Sequence, residues 1–193
     1  LVYQIMANKE IIVVLDNIRS RENVGSIFRT ADGAGVAKIY LCGITPTPSV
    51  GNSKFEVLNS KQIQNPKLKT QNTDKIAKTA LGAERWVPWE YGAKTWQVLC
   101  ELKVKSSKFK VIGLEQAANS KNIFKYKIPK DKKIALVVGN EVKGLSPRIL
   151  KYCDDVVHIP MYGRKESLNV SVATGIALFQ LIKWNYPINV NRK

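Results

Sequence analysis

The chain has few of the residues on which metal and nucleophilic chemistry most often depend. It holds one histidine, His158, and three cysteines, Cys42, Cys100 and Cys153, among 193 residues. No two cysteines have CxxC spacing, and one histidine cannot complete an ordinary zinc site, so no metal is expected. The odd, scattered cysteines read as buried free thiols in a reducing compartment, which gives a cytoplasmic expectation. His158 lies in a β-like run and reads as a packed strand residue, leaving a Ser/His or Cys/His dyad unsupported. Neither GxGxxG nor GxxxxGK[ST] occurs, so a dinucleotide or nucleoside triphosphate is not indicated. A long unbroken apolar run is missing too. Asn169, Ser171, Thr174, Gln180 and Lys183 interrupt Leu168–Trp184, which falls short of the ~20 apolar residues of a membrane span. That run reads as a core or interface helix. No charged-then-apolar leader opens the sequence. Acidic residues are scarce: 15 Asp and Glu face 31 Lys and Arg, for a net charge of +16. This balance favours a polyanionic partner, either nucleic acid or an anionic membrane surface.

What is present reads as one α/β domain spanning residues 1–193, with a substantial core. Ile11–Asp16 is a continuous β-branched run, as expected of a strand buried on both faces. Glu22–Ala34 follows with Val24, Ile27, Phe28, Ala31 and Ala34 at helical spacing, and Gly35 can end it. Further strands are expected at Lys38–Cys42, Arg85–Pro88, Lys110–Leu114, Ile134–Val138 and Val156–Ile159. Helices are expected at Asp74–Leu81, Thr95–Leu102, Pro147–Tyr152 (Ser146 as N-cap) and Asn169–Trp184. Gly43–Asn72, rich in Pro, Ser, Asn and Lys, reads as a long loop or insertion, and Asn119–Pro129 as a basic connector. Strands alternating with helices predict a mostly parallel sheet flanked by helices.

Ligands of such sheets bind beyond the carboxyl ends of the strands. Three segments have the form of strand, polar loop and helix start: Asn17–Asp32, Val137–Ser146 and Ile159–Ala173. Glycines in the latter two allow close backbone approach or positive φ. Within the first, Arg29 by spacing alone is a solvated arginine with Asp32 as its i,i+3 partner. Asn23 by itself is a plausible capping residue.

Together the three segments resemble the motifs of the SpoU/TrmH-type RNA ribose methyltransferases of the SPOUT superfamily. The first motif is matched by Asn23, Gly25, Arg29, Thr30, Ala31 and Asp32. The second is Gly139 to Ser146 (GNEVKGLS), and the third runs from Ile159 to Ala173 (IPMYGRKESLNVSVA). They stand in the family's order, and the resemblance runs from about Ile11 to Trp184. Lys78–Glu84 also resembles a segment of some members.

The resemblance implies a deep trefoil knot in the C-terminal part of the fold, which nothing in composition or periodicity shows. It implies S-adenosylmethionine as methyl donor, S-adenosylhomocysteine as product, and a homodimer with the active site near the subunit interface. The expected substrate is a ribose 2′-hydroxyl of tRNA or rRNA. By motif position Arg29 would activate that hydroxyl, and Asn23 would position it or a nearby phosphate. Glu141, Ser167 and Asn169 would complete the catalytic pocket. Leu114, Val138, Gly139, Glu141, Gly144, Ile159, Met161, Ser167 and Leu168 would hold the cofactor. Arginine is not normally deprotonated in proteins, so two roles stand for Arg29: general base, or stabiliser of an alkoxide whose proton goes to phosphate or water. Larger members carry an RNA-binding domain before the first motif; only 22 residues precede Asn23 here, so no separate N-terminal RNA-binding domain is expected. The ten lysines of Lys103–Lys133 are then a candidate phosphate-gripping surface. Trp86, Trp89 and Tyr91 read either as base-stacking groups or as buried aromatics. Two alternatives to ribose methylation remain: an idle RNA-binding or assembly protein, and a methyltransferase directed at a base.

Overall fold

The structure, a computed structural model, describes residues 10–48, 75–106, 108–128 and 132–183. Seven parallel strands form one sheet in the order β3-β2-β1-β6-β4-β7-β5. They are β1 (Ile11–Asp16), β2 (Lys38–Cys42), β3 (Trp89–Gly92), β4 (Phe109–Leu114), β5 (Lys121–Asn122), β6 (Lys133–Val138) and β7 (Asp155–His158). β1 is central, with Leu15 paired to Leu41 of β2 on one side and to Val138 of β6 on the other. All six of its residues are buried, which is why it carries no polar alternation.

Helices cover both faces. Alternate residues of β1 divide between two cores. Val13 and Leu15 pack with Phe28, Ala177, Leu178 and Leu181. Those residues belong to α1 (Arg21–Gly33) and α6 (Val170–Lys183). Ile12 and Val14 pack with Val98, Leu99, Leu102 and Ile149, from α4 (Thr95–Lys105) and α5 (Pro147–Leu150). Residues 75–80 form α2 and Ala83–Trp86 form the short α3. The expected parallel α/β sheet is thus observed.

The ends of α1 follow from its sequence. Ser20 is the N-cap, its side chain accepting from the Asn23 N–H at 3.1 Å. At the other end the N–H of Val36 donates to Ala31 and that of Gly35 to Asp32. This closure needs the positive φ of 65° at Gly35. Asn23 is therefore not the cap, although its position invited that reading; a serine three residues earlier satisfies its backbone.

Arg85–Pro88 is not a strand. Gly82, at φ 95°, breaks the helix at residues 75–80 and lets α3 begin. The Val87 N–H is then spent on the Ala83 carbonyl at 3.0 Å. Pro88 has no N–H to give to a ladder, and pairing starts one residue later, where Trp89 faces Ile39. The basic connector contains the two-residue edge strand β5, paired to β7. α4 runs to Lys105, three residues past its expected end. Ser146 caps α5 with Pro147 in the first turn, as expected. Residues 49–72 of the expected insertion, Asp74, Pro129 and Trp184 lie outside the described residues. No helix among the described residues is long and apolar enough to cross a membrane.

Candidate functional site

A cleft opens at the carboxyl ends of β4, β6 and β7. Its walls include Leu114, Val138, Gly139, Glu141, Gly144, Ile159, Met161, Ser167 and Leu168, and it encloses about 820 Å³ of space open to solvent. Every residue expected to hold the cofactor therefore lines one cleft. Glu115, Gln116, Asn140 and His158 line it as well and were not among the residues expected to hold the cofactor. The signal available for Glu115 and Gln116 was their place directly after β4, the position from which such sheets present ligand-facing groups.

The loop after β6 is built around glycine and asparagine. A side chain on Gly139 would meet the backbone of Gly144 at 2.4 Å, so the two limbs of the loop touch there. Gly144 has φ 61°, and a side chain on it would meet the Glu115 carboxylate at 2.2 Å. That carboxylate accepts from the Leu145 N–H at 2.6 Å and the Gln116 N–H at 2.9 Å. Gln116 in turn donates to the Ile159 carbonyl at 2.7 Å. Asn140 accepts from the N–H groups of Val142 and Lys143 and donates to the Asn17 carbonyl at 2.7 Å. The two limbs of this loop thus touch through backbone at one wall of the cleft, while Glu115, Gln116 and Asn140 hold three loops in register.

Glu141 ties the second loop to the first. Its carboxylate accepts from the N–H of Arg19 at 2.9 Å, the N–H of Ser20 at 2.9 Å and the side-chain amide of Asn23 at 3.1 Å. Burial alone would raise its pKa, but the N–H groups of Ser20 and Arg19, its own N–H and Asn23 outweigh that and hold it below the usual carboxylate value. An anion is also favoured at the amino end of α1. Asn23 then accepts from the Asn169 side chain at 3.1 Å. Asn169 caps α6, its Oδ1 accepting from the Ser171 N–H at 2.9 Å. A continuous chain Glu141–Asn23–Asn169 therefore joins all three motif segments beside the cleft. Ser167, exposed, lines the cleft itself.

Arg29 stands apart from this chain. It is exposed on α1 and does not line the cleft. No salt bridge joins it to Asp32, which instead accepts from the Trp86 indole N–H at 2.9 Å. Its neighbour Thr30 packs at the crossing with α6, where a side chain on Gly175 would meet the Thr30 methyl at 3.4 Å. Arg29 thus sits beside α6, whose Val172 and Phe179 are 51% and 55% exposed.

The lysine-rich window is less open than its composition suggests. Lys103 pairs with Asp154, Lys105 with Glu101, Lys110 and Lys121 with Asp155, and Lys133 with Glu10. The partners lie outside the window in sequence, so the window's own acid count could not reveal them. Lys108, Lys125 and Lys127 are exposed without an acidic partner among the described residues. Of the three aromatics, Trp89 is buried at 6% exposure, whereas Trp86 at 54% and Tyr91 at 41% are not. Cys42, Cys100 and Cys153 are free thiols; burial pushes Cys42 and Cys153 each up to about 12. His158 ends β7 and bonds through Nδ1 to the Ser120 hydroxyl at 2.9 Å. Among the described residues no cluster of His, Cys, Asp and Glu could hold a metal ion.

With this geometry in place, the comparisons with known proteins are specific. Residues 54–179 match the SpoU rRNA Methylase family. The tRNA (guanosine(18)-2′-O)-methyltransferase of Aquifex aeolicus is 32% identical over 89% of this chain and 68% of its own length. A 23S rRNA (guanosine-2′-O-)-methyltransferase of Haemophilus influenzae is 31% identical over 93% of this chain and 63% of its own. Among solved structures, the TrmH/SpoU tRNA modifying enzyme of A. aeolicus superposes with a TM-score of 0.68 at 30% identity, covering 93% of this chain and 77% of that one. An AdoMet-bound rRNA methyltransferase from Sinorhizobium meliloti gives 0.72 at 25% identity, covering 92% of this chain and 57% of that one. The chain spans about 60% of the length of several curated relatives it matches. By sequence and by fold, this chain belongs to the SpoU rRNA methylase family.

Proposed function

We propose that the chain is an S-adenosylmethionine-dependent methyltransferase acting on a ribose 2′-hydroxyl of tRNA or rRNA. The observation that carries this reading is the Glu141–Asn23–Asn169 chain, which brings three distant segments to the rim of one cleft. The cleft fits the cofactor chemically. Apolar Leu114, Val138, Ile159, Met161 and Leu168 suit a purine ring, loop backbone at Gly139 and Gly144 suits its polar edge, and the Glu115 and Glu141 carboxylates suit a cation nearby. The cofactor when bound supplies an electrophilic methyl group. The protein's share is alignment of the ribose oxygen and help with its proton. Asn23 and Asn169 would orient the ribose or its phosphate, with Glu141 fixing Asn23. Arginine is a poor proton acceptor in general, so Arg29 would stabilise negative charge developing on the 2′-oxygen while the proton passes to phosphate or water.

The same reading includes a homodimer closing over the exposed Val172 and Phe179 stripe of α6, which would place a second subunit beside Arg29. It also includes the deep knot, supported by the way β6 and β7 flank β4 while the loops that follow them wall the same cleft. The test is transfer of labelled methyl groups to unmodified tRNA and rRNA, followed by nucleoside mass spectrometry. A 2′-O-methylnucleoside is expected. A methylated base would sink the ribose assignment, and tight RNA binding without transfer would favour a non-catalytic RNA-binding role.

A further inference from the structure

We propose that Trp86 is a stacking platform for an unpaired RNA base next to the ribose presented to Arg29; this rests on RNA being the substrate. Trp86 is the most exposed tryptophan among the described residues, yet it is held at two points. Its indole N–H donates to Asp32 at 2.9 Å. Its six-membered ring lies against Gly82, where an added side chain would meet it at 3.0 Å, and where φ is 95°. The ring's polar edge is therefore satisfied and its orientation fixed, while more than half of its surface faces solvent.

Its position gives that surface a use. Asp32 follows Arg29 by three residues on α1, so the two share a face and lie about 4.5 Å apart along the axis. The hydrogen bond to Asp32 thus anchors the indole to α1 about one helical turn along from Arg29. Two cations on neighbouring helices suit an RNA strand: Arg29 and Lys78 are both exposed on this side of the molecule. Stacking on an aromatic ring requires an unstacked base and tolerates any base identity, and single-stranded loops supply such bases. Trp86 is a positioning residue on this account. It would set which strand geometry reaches the site, without touching the reacting atoms.

The experiment uses the full chain with unmodified tRNA and rRNA fragments in the presence of S-adenosylhomocysteine. Trp86→Ala is expected to weaken RNA binding by roughly tenfold or more, with cofactor affinity unchanged. Trp86→Phe should recover most of the RNA affinity. Asp32→Ala keeps the indole but frees it, and should likewise retain most of the affinity while weakening it measurably. In the wild type RNA should quench tryptophan fluorescence, and Trp86→Phe should remove most of that quench; this readout stands even if the alanine variant folds poorly. RNA affinity within twofold of wild type in Trp86→Ala, or a quench that persists in Trp86→Phe, would overturn the proposal. Because binding is read without transfer, Trp86-dependent RNA binding alongside absent methylation would uphold this inference and sink only the reaction. Normal methylation with Trp86-independent binding would do the reverse.

Discussion

The Asn23 side chain sits between Glu141 and Asn169, donating to the first and accepting from the second, each at 3.1 Å. Its two ends are therefore not interchangeable: the amide nitrogen must face the carboxylate. Asn23→Asp would set a second carboxylate against Glu141 and turn an attraction into repulsion. Methyl transfer is expected to fall by roughly ten- to a hundredfold, since the three loops lose their common register. Asn23→Ala should cost less than Asn23→Asp. Steady-state transfer assays on both variants check the order, and an aspartate variant as active as wild type would contradict the bridging role.

Arg29 makes a contrasting case. It does not line the cleft and has no hydrogen-bond or ion-pair partner among the described residues, so its removal costs the fold little. Arg29→Ala should abolish detectable transfer while cofactor affinity, read by calorimetry, stays within about twofold of wild type. Arg29→Lys keeps the charge but loses the planar fork, and should restore only a small part of the activity. Loss of cofactor binding in Arg29→Ala would contradict the role given to it.

Several features were legible in the sequence because one residue or one run decides them. β1 and β2 have the boundaries their apolar runs predict, and Ser146 caps α5 where Ser-Pro says it should. The three motif segments were legible through their order. The hidden features depend on partners far along the chain. Glu141 finds Ser20 more than a hundred residues away, and Asp154 and Asp155 neutralise lysines that look free in sequence. Arg85–Pro88 misled because its β-like composition competes with a left-handed glycine at 82 and a proline at 88. Backbone geometry won.

Gly139 offers the sharpest test of the cleft. A methyl group there would lie 2.4 Å from the Gly144 carbonyl carbon and 2.5 Å from the Leu145 nitrogen. Both are backbone atoms of the same loop, so neither can rotate away. Gly139→Ala should weaken cofactor binding by about tenfold or more and cost about 1–3 kcal/mol of stability. Calorimetry with S-adenosylhomocysteine, together with urea unfolding, separates the two effects. Unchanged cofactor affinity would place the ligand elsewhere.

Two carboxylates should leave opposite marks on the pH dependence of stability. Burial raises the pKa of Asp16 above its ordinary 3.8, against the hydrogen bonds from Thr95 and Asn17. The folded state then binds its proton more tightly than the unfolded state. Stability must fall as pH rises from about 3.8 through the folded pKa. Glu141 is shifted down from 4.5, so its contribution is complete above that value and is lost as pH drops through the folded pKa. Asp16→Asn keeps an acceptor for the Thr95 hydroxyl and removes the buried charge. It should be as stable as wild type or more so at pH 7, with the advantage gone near pH 4. Glu141→Gln leaves the Arg19 and Ser20 N–H groups a weaker partner, and should cost about 1–2 kcal/mol at pH 7 but progressively less as pH drops below 4.5 and through the folded pKa. Denaturant unfolding of both variants at pH 7 and at the acid end decides it. An Asp16→Asn variant less stable than wild type at pH 7 would show that its hydrogen bonds outweigh the cost of burying the charge.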